Sequence, residues 1–185
     1  LHKEYRRQRQ MCIRDRASSM AVIAETLGVM LPNTASIPAV HADRLRASEQ
    51  TGTVAAKMAI QGGPKLDKLI TEESVENALR VLLSVSGSTN AIIHLTAIAG
   101  RAGVEVDLKR FNELSDETPV LVDLKPVGTG YMEDFHAAGG LDGVLRALAS
   151  QLNLQTLDVT GQNLEQRLKQ EQAETTDLSV IRNTQ

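Results

Sequence analysis

The sequence predicts a helix-rich α/β fold with few short strands. Apolar residues recur at helical spacing along most of the chain, while β-branched runs are confined to two short stretches. Gly and Pro separate the segments. With 185 residues, 42% hydrophobic and 23% charged, the chain can bury one core of ordinary size.

Met20, Ile23, Ala24 and Leu27 fall at i, i+3, i+4 and i+7, which predicts a helix from Ala17, with Ser18 or Ser19 as N-cap, ended by Gly28 and Pro32. LPNTASIPAVHADR follows as an extended loop, because Pro38 turns Ile37 away from helix. A second helix is expected over Asp43 to Gln61, capped by Asp43, with Val54, Ala55 and Met58 inward, and broken by Gly62, Gly63 and Pro64. Thr71 with Glu72 and Glu73 begins the best-marked helix, whose stripe is Val75, Ala78, Leu79 and Leu82.

Ser86 and Gly87 interrupt that helix, and another runs from Thr89 to Gly100, apolar enough to predict burial on most sides. Asp107 caps a short helix over Leu108 to Leu114. Pro119 to Leu124 is the first strand candidate, followed by the Pro126 to Gly130 loop. Helices are then expected over Met132 to Ala138 and Leu141 to Leu152. A second strand over Thr156 to Val159 should turn at Gly161 into Asn163 to Leu168. Beyond Lys169 the chain is polar and is expected to be loose.

No apolar run approaches the length of a membrane-spanning helix, and the basic start has no signal-peptide core, so a cytoplasmic protein without a membrane partner is expected. Cys12, the single cysteine, excludes an internal disulfide and any site needing two thiolates from this chain. Residues 1–16 carry six basic groups against two acidic ones, yet nothing behind them reads as a recognition element. No nucleic-acid partner is expected.

Two stretches carry candidate chemistry. In SGSTN, Ser88, Thr89 and Asn90 stand at a helix start, where backbone N–H groups and hydroxyls suit a carboxylate or phosphate. Ser and Thr equally favour plain caps there, and on residue type alone the cap is the stronger reading. His94 lies one turn beyond Asn90 on the same side; a lone histidine on an apolar helix is more often a hydrogen-bonded core residue than a ligand. His136, with Glu133 and Asp134 nearby, reads as a candidate proton-transfer or binding group, or as a polar helix end. The loop residues His41, Asp43 and Arg44 could border a cleft, Arg44 meeting an acidic substrate or solvent. No phosphate loop, GxSxG or HExxH occurs, which leaves nucleophilic-serine and zinc-protease chemistry without support.

ASSMAVIAETLG, LPNTASIPAVHADR, ESVENALRVLLSVSGSTNAIIHL, DETPVLVDLKPVGTGYMEDFHAAGGL and LDVTGQNLEQRL together resemble the dihydroxy-acid and phosphogluconate dehydratases, a family that includes sugar-acid enzymes such as arabinonate and xylonate dehydratase. The resemblance covers Ala17 to about Arg182. Ser86 departs from it, standing where the first glycine of GGSTN usually is.

By resemblance, such an enzyme dehydrates a 2,3-dihydroxy acid to a 2-keto acid. An iron–sulfur cluster acts on the departing 3-hydroxyl, Mg2+ holds the carboxylate end, and a serine from a later domain acts as base. DLKP, MEDFHAAGG and VTG favour a sugar-acid substrate over dihydroxy-acid dehydratase of branched-chain amino-acid synthesis. A homo-oligomer is the family's expectation.

Cluster cysteines, acidic magnesium ligands and the base are not among the matching segments. Cys12 is one place out of register for the third cysteine, and no cofactor is expected to bind this chain. The chain therefore reads as a fragment of the amino-terminal α/β/α domain, inactive alone and marginally stable. Residues 1–16 are expected to be a non-native adapter-like or disordered arm, 17–168 the partial amino-terminal domain and 169–185 a loose linker towards a missing carboxy-terminal domain. The reading from another class is a helical scaffold that kept this framework without its cofactors.

Overall fold

Helix α4, Glu72–Ser84, is the centre of the molecule, and its sequence explains why. Thr71 caps it, accepting from Ser74 N–H while Ser74 Oγ accepts from Thr71 N–H, so the first turn is closed reciprocally. Val75, Ala78, Leu79 and Leu82 face one apolar cluster, and Val81 and Val85 face another. Its buried polar residues are all engaged. Asn77 exchanges two hydrogen bonds with the backbone of Asn153, each 2.9 Å, and Arg80 reaches Glu117 at 3.0 Å.

The computed structural model describes residues 18–124, 128, 130–170 and 177–182. The expected arm over 1–16, Cys12, the helix start at Ala17 and most of the Pro126 to Gly130 loop lie outside them. Helix α1 covers 18–26, followed by α2 (Ala42–Gln61), α3 (Leu66–Leu69), α4, α5 (Thr89–Arg101), α6 (Leu108–Glu117), α7 (Met132–Ala137), α8 (Gly140–Ala147) and α9 (Leu164–Gln170). Ile23 of α1 and Leu27 in the turn after it join α4, α5 and Leu114 of α6 in one cluster; Phe135, Leu141, Val144, Leu145 and Leu148 of the α7–α8 region build the other. Among the described residues, no helix is long and apolar enough to cross a membrane.

Both expected strands are corrected. In 119–124 only Val122 and Leu124 form isolated bridges, to Ile181 and Gly130. The Leu121 and Val122 N–H groups donate instead to the Ser84 carbonyl at the end of α4, so helix capping consumes the donors that a ladder would need. Over 156–159 the single bridge Leu157–Asn163 closes a tight turn, and Val159 N–H donates to Gly28. The described residues are thus helical with bridges only, and α/β/α layering is not seen among them.

Three helix expectations also change. α2 begins at Ala42, His41 holds the N-cap position, and Ala47 is its one buried residue; Val54 and Met58 are half-buried and Ala55 is exposed. α5 buries Ala91, Leu95 and Ala99 and leaves the rest of its surface half-buried or open. α8 ends at Ala147, and its continuation to Leu152 is a turn. Where loose chain was expected after 168, α9 runs to Gln170, and residues 177–182 return to bury Ile181 fully.

Candidate functional site

Glu25 is the residue around which the candidate site is built. It sits on α1, 2% exposed, and its carboxylate accepts three consecutive backbone N–H groups: Asn33 at 2.8 Å, Thr34 at 3.0 Å and Ala35 at 2.6 Å. A carboxylate so solvated by main chain replaces water with fixed donors and forces the loop to curl around it. Asn33 takes the left-handed conformation this needs, φ +62°. Arg167 of α9 completes the cluster, donating to Glu25 at 2.5 Å and also to Asp142 of α8. Burial lowers the Arg167 pKa, but the two carboxylates outweigh it and leave the guanidinium raised.

The curled loop presents Ser36. Its hydroxyl lies 3.0 Å from His136 Nδ1 on α7, and the His41 ring meets the His136 ring edge-on, centroids 5.8 Å apart. Gly140 underlies this group: a Cβ there would stand 2.4 Å from Ser36 Oγ. Arg44 is not directed at a substrate or at solvent alone. It donates to the Thr34 and Ile37 carbonyls, clamping its own loop. Asp43 pairs with Arg46 on the surface, and Asp134 accepts from Tyr131 N–H at 2.8 Å to start α7.

The second candidate stretch lies at the mouth of α5. Ser86 has φ +51°, and Gly87 N–H donates to the Leu82 carbonyl, ending α4. Ser88 occupies the N-cap position without a side-chain cap bond, and its N–H donates to Ser19 Oγ at 3.1 Å. Thr89 and Asn90 are exposed, and their N–H groups have no backbone acceptor among the described residues. His94 is exposed rather than a hydrogen-bonded core residue, on the same open face as Asn90 and Ile93. The structure thus joins His136 to His41 and Ser36, and sets Ser88, Thr89, Asn90 and His94 along one helix end. No described side-chain hydrogen bond connects Asn90 or His94 to the histidine group.

A sequence model of the amino-terminal domain of dihydroxy-acid/6-phosphogluconate dehydratases matches residues 15–167. The chain belongs to the dihydroxy-acid/6-phosphogluconate dehydratase family. It is 41% identical over 148 residues to dihydroxy-acid dehydratase of Methanococcoides burtonii, covering 80% of this chain and 27% of that protein. It is 43% identical over 165 residues to L-arabonate dehydratase of Azospirillum brasilense, covering 88% and 28% respectively. The chain therefore spans little more than a quarter of the length of these dehydratases.

Sequence reasoning missed Glu25, Asp142 and Arg167, although Glu25 and Arg167 lie inside dehydratase-like segments and Asp142 directly follows one. The available signal was an acid in the apolar helix AVIAETLG followed directly by a turn sequence. Among the described residues no three His, Cys, Asp or Glu side chains converge as metal ligands, and Glu25 and Asp142 are already paired with Arg167. One cysteine in the chain does not suit an iron–sulfur cluster, which needs several thiolates, and among the described residues the carboxylates do not gather into a magnesium site.

Proposed function

We propose that the chain is a piece of a dehydratase that removes water from a 2,3-dihydroxy acid to give a 2-keto acid, and that it supplies a wall of the substrate cleft. The observation that carries this reading is the meeting of His136 with His41 and Ser36, residues brought from two separate dehydratase-like motifs, at one partly open surface. A hydroxyl beside two imidazoles matches a polyhydroxylated acid, whose hydroxyl groups need both donors and acceptors. The α5 mouth, with the Thr89 and Asn90 N–H groups and the Ser88 hydroxyl, suits the carboxylate end.

The overall reaction takes a proton from C2 and the hydroxyl from C3, and the enol so formed tautomerises to the keto acid. Groups for bond breaking must come from outside this chain, as must any sheet that completes an α/β/α domain. The chain alone is therefore inactive. A sugar acid is the favoured substrate: the 43% identity to an L-arabonate dehydratase extends over 88% of the chain, and the DLKP and MEDFHAAGG motifs point the same way.

Exchanging residues 17–168 for the matching segment of the Azospirillum brasilense enzyme tests both statements. Turnover of L-arabonate, with little turnover of a branched-chain dihydroxy acid and none by the 185-residue chain alone, is the expected result. A hybrid that folds and loads its cofactors but dehydrates neither acid would refute the cleft-wall reading.

A further inference from the structure

Arg44 stands in the first turn of α2, where a cation opposes the positive end of the helix dipole and an acid would serve the helix better. His41 holds the N-cap position, and its side chain makes no cap bond. Neither residue type favours a helix start, and a break in local preference points to a role elsewhere. For Arg44 that role is in the loop before the helix. It is half-buried, and its two terminal nitrogens donate to two different carbonyls, Nη1 to Thr34 at 3.0 Å and Nη2 to Ile37.

Thr34, Ala35, Ser36 and Ile37 are buried although their backbone is neither helix nor strand. The polar groups of such a segment must find partners outside any regular ladder. Glu25 accepts the N–H groups of Asn33, Thr34 and Ala35, and Arg44 supplies donors to the carbonyls of Thr34 and Ile37. A carboxylate thus holds the donors of this short segment and a guanidinium its acceptors. Ser36 lies between the two carbonyls that Arg44 grips, and its hydroxyl stands 3.0 Å from His136 Nδ1. The backbone of Arg44 also reaches the second histidine: its N–H donates to the His41 carbonyl at 3.1 Å, and the His41 N–H donates to the Pro38 carbonyl at 3.1 Å. The turn from Ile37 to His41 is therefore closed between the side chain and the main chain of one arginine.

We propose that Arg44 is a positioning residue for the candidate substrate surface, fixing Ser36 against His136 through the Thr34 and Ile37 carbonyls. Its part in substrate binding rests on the cleft-wall reading; its anchoring of Ser36 does not. A lysine cannot take its place, because a single ammonium lacks the rigid fork that serves two carbonyls at once.

Nuclear magnetic resonance of the 185-residue chain tests the anchoring, by the Overhauser contact between the Ser36 methylene and the His136 ring. Arg44→Met should lose this contact, and Arg44→Lys should keep only part of it. Circular dichroism and a thermal melt follow the fold separately. In the segment-exchanged enzyme acting on L-arabonate, Arg44→Met should lower kcat/KM about tenfold. Added to Ser36→Ala it should cost little more, because Arg44 acts through that hydroxyl. A folded Arg44→Met chain that keeps the contact overturns the proposal whatever its melting temperature or turnover, and so does full additivity of the two changes. If Arg44→Met does not fold, Arg44→Lys decides: the contact kept in full overturns the proposal, and the contact weakened in a folded chain supports it. Loss of the contact with kcat/KM unmoved upholds the anchoring of Ser36 and refutes the cleft-wall reading instead.

Discussion

Replacing Arg167 by Met removes the cation from a cluster in which Glu25 is 2% exposed and Arg167 5% exposed. Breaking a buried ion pair from one side costs about 3–5 kcal/mol, because the surviving charge has lost its partner. Here Glu25 keeps three backbone N–H donors, so the lower figure applies to it. Asp142 gains no replacement, and its Oδ2 is already buried without a hydrogen bond among the described residues. About 3 kcal/mol is therefore expected, which for a domain of this size lowers the melting temperature by roughly 6–12 °C. Glu25→Gln should cost a similar amount, since its amide group turns a donor toward a nest of donors.

The double variant E25Q/R167M should lose less than the sum of the two singles, by about 1.5–3 kcal/mol, because the residues act as one unit. Urea unfolding followed by circular dichroism measures all three. Arg167→Met within 1 kcal/mol of the parent, or strict additivity in the double variant, would refute the argument that this cluster holds α1, α8, α9 and the 33–35 loop together.

Ser86→Gly should stabilise the chain by about 0.5–1 kcal/mol, because it places the residue without a Cβ at φ +51°; a thermal melt reads this, and an unchanged or lower midpoint contradicts it. Gly140→Ala should cost about 2–3 kcal/mol from its φ of +57° and the clash with Ser36 Oγ, and the His136 ring resonances should move in the nuclear magnetic resonance spectrum as Ser36 is displaced. Glu73 has its carboxyl held below the ordinary range by hydrogen bonds to its own backbone N–H and to Thr71. A depressed folded-state pKa contributes stability that is present above the unfolded value, about 4.3, and is lost as pH falls through the folded one. Acid titration of unfolding should therefore show a small loss below that pH that Glu73→Gln flattens.

The helices were legible because their signals are local. The Thr71 cap with the Glu72–Glu73 pair, the stripe of α4 and the Ser86–Gly87 break each fix φ/ψ within a few residues, and the structure places α4 and α5 accordingly. PVLVDL was misread because β-branched residues report a preference for extended backbone and carry no information about the partner. The partner here is the Ser84 carbonyl and a short returning segment. α5 was expected to be buried on most sides from its apolarity, whereas Asn90, Ile93 and His94 are open; composition cannot distinguish a face covered within this chain from one left for other contacts. Of the site, His136 and the α5 mouth were legible as residue types at helix ends. The Ser36–His136 contact spans one hundred residues, and the role of Glu25 depends on a loop conformation that no periodicity encodes.

The most direct measurement of the central claim is kcat/KM of the segment-exchanged enzyme carrying His136→Ala, on L-arabonate, alongside its melting temperature. If His136, His41 and Ser36 wall the substrate cleft, the variant loses about 10- to 100-fold in kcat/KM while its melting temperature stays close to the parent's. A variant with full kcat/KM contradicts the assignment of this surface to the substrate.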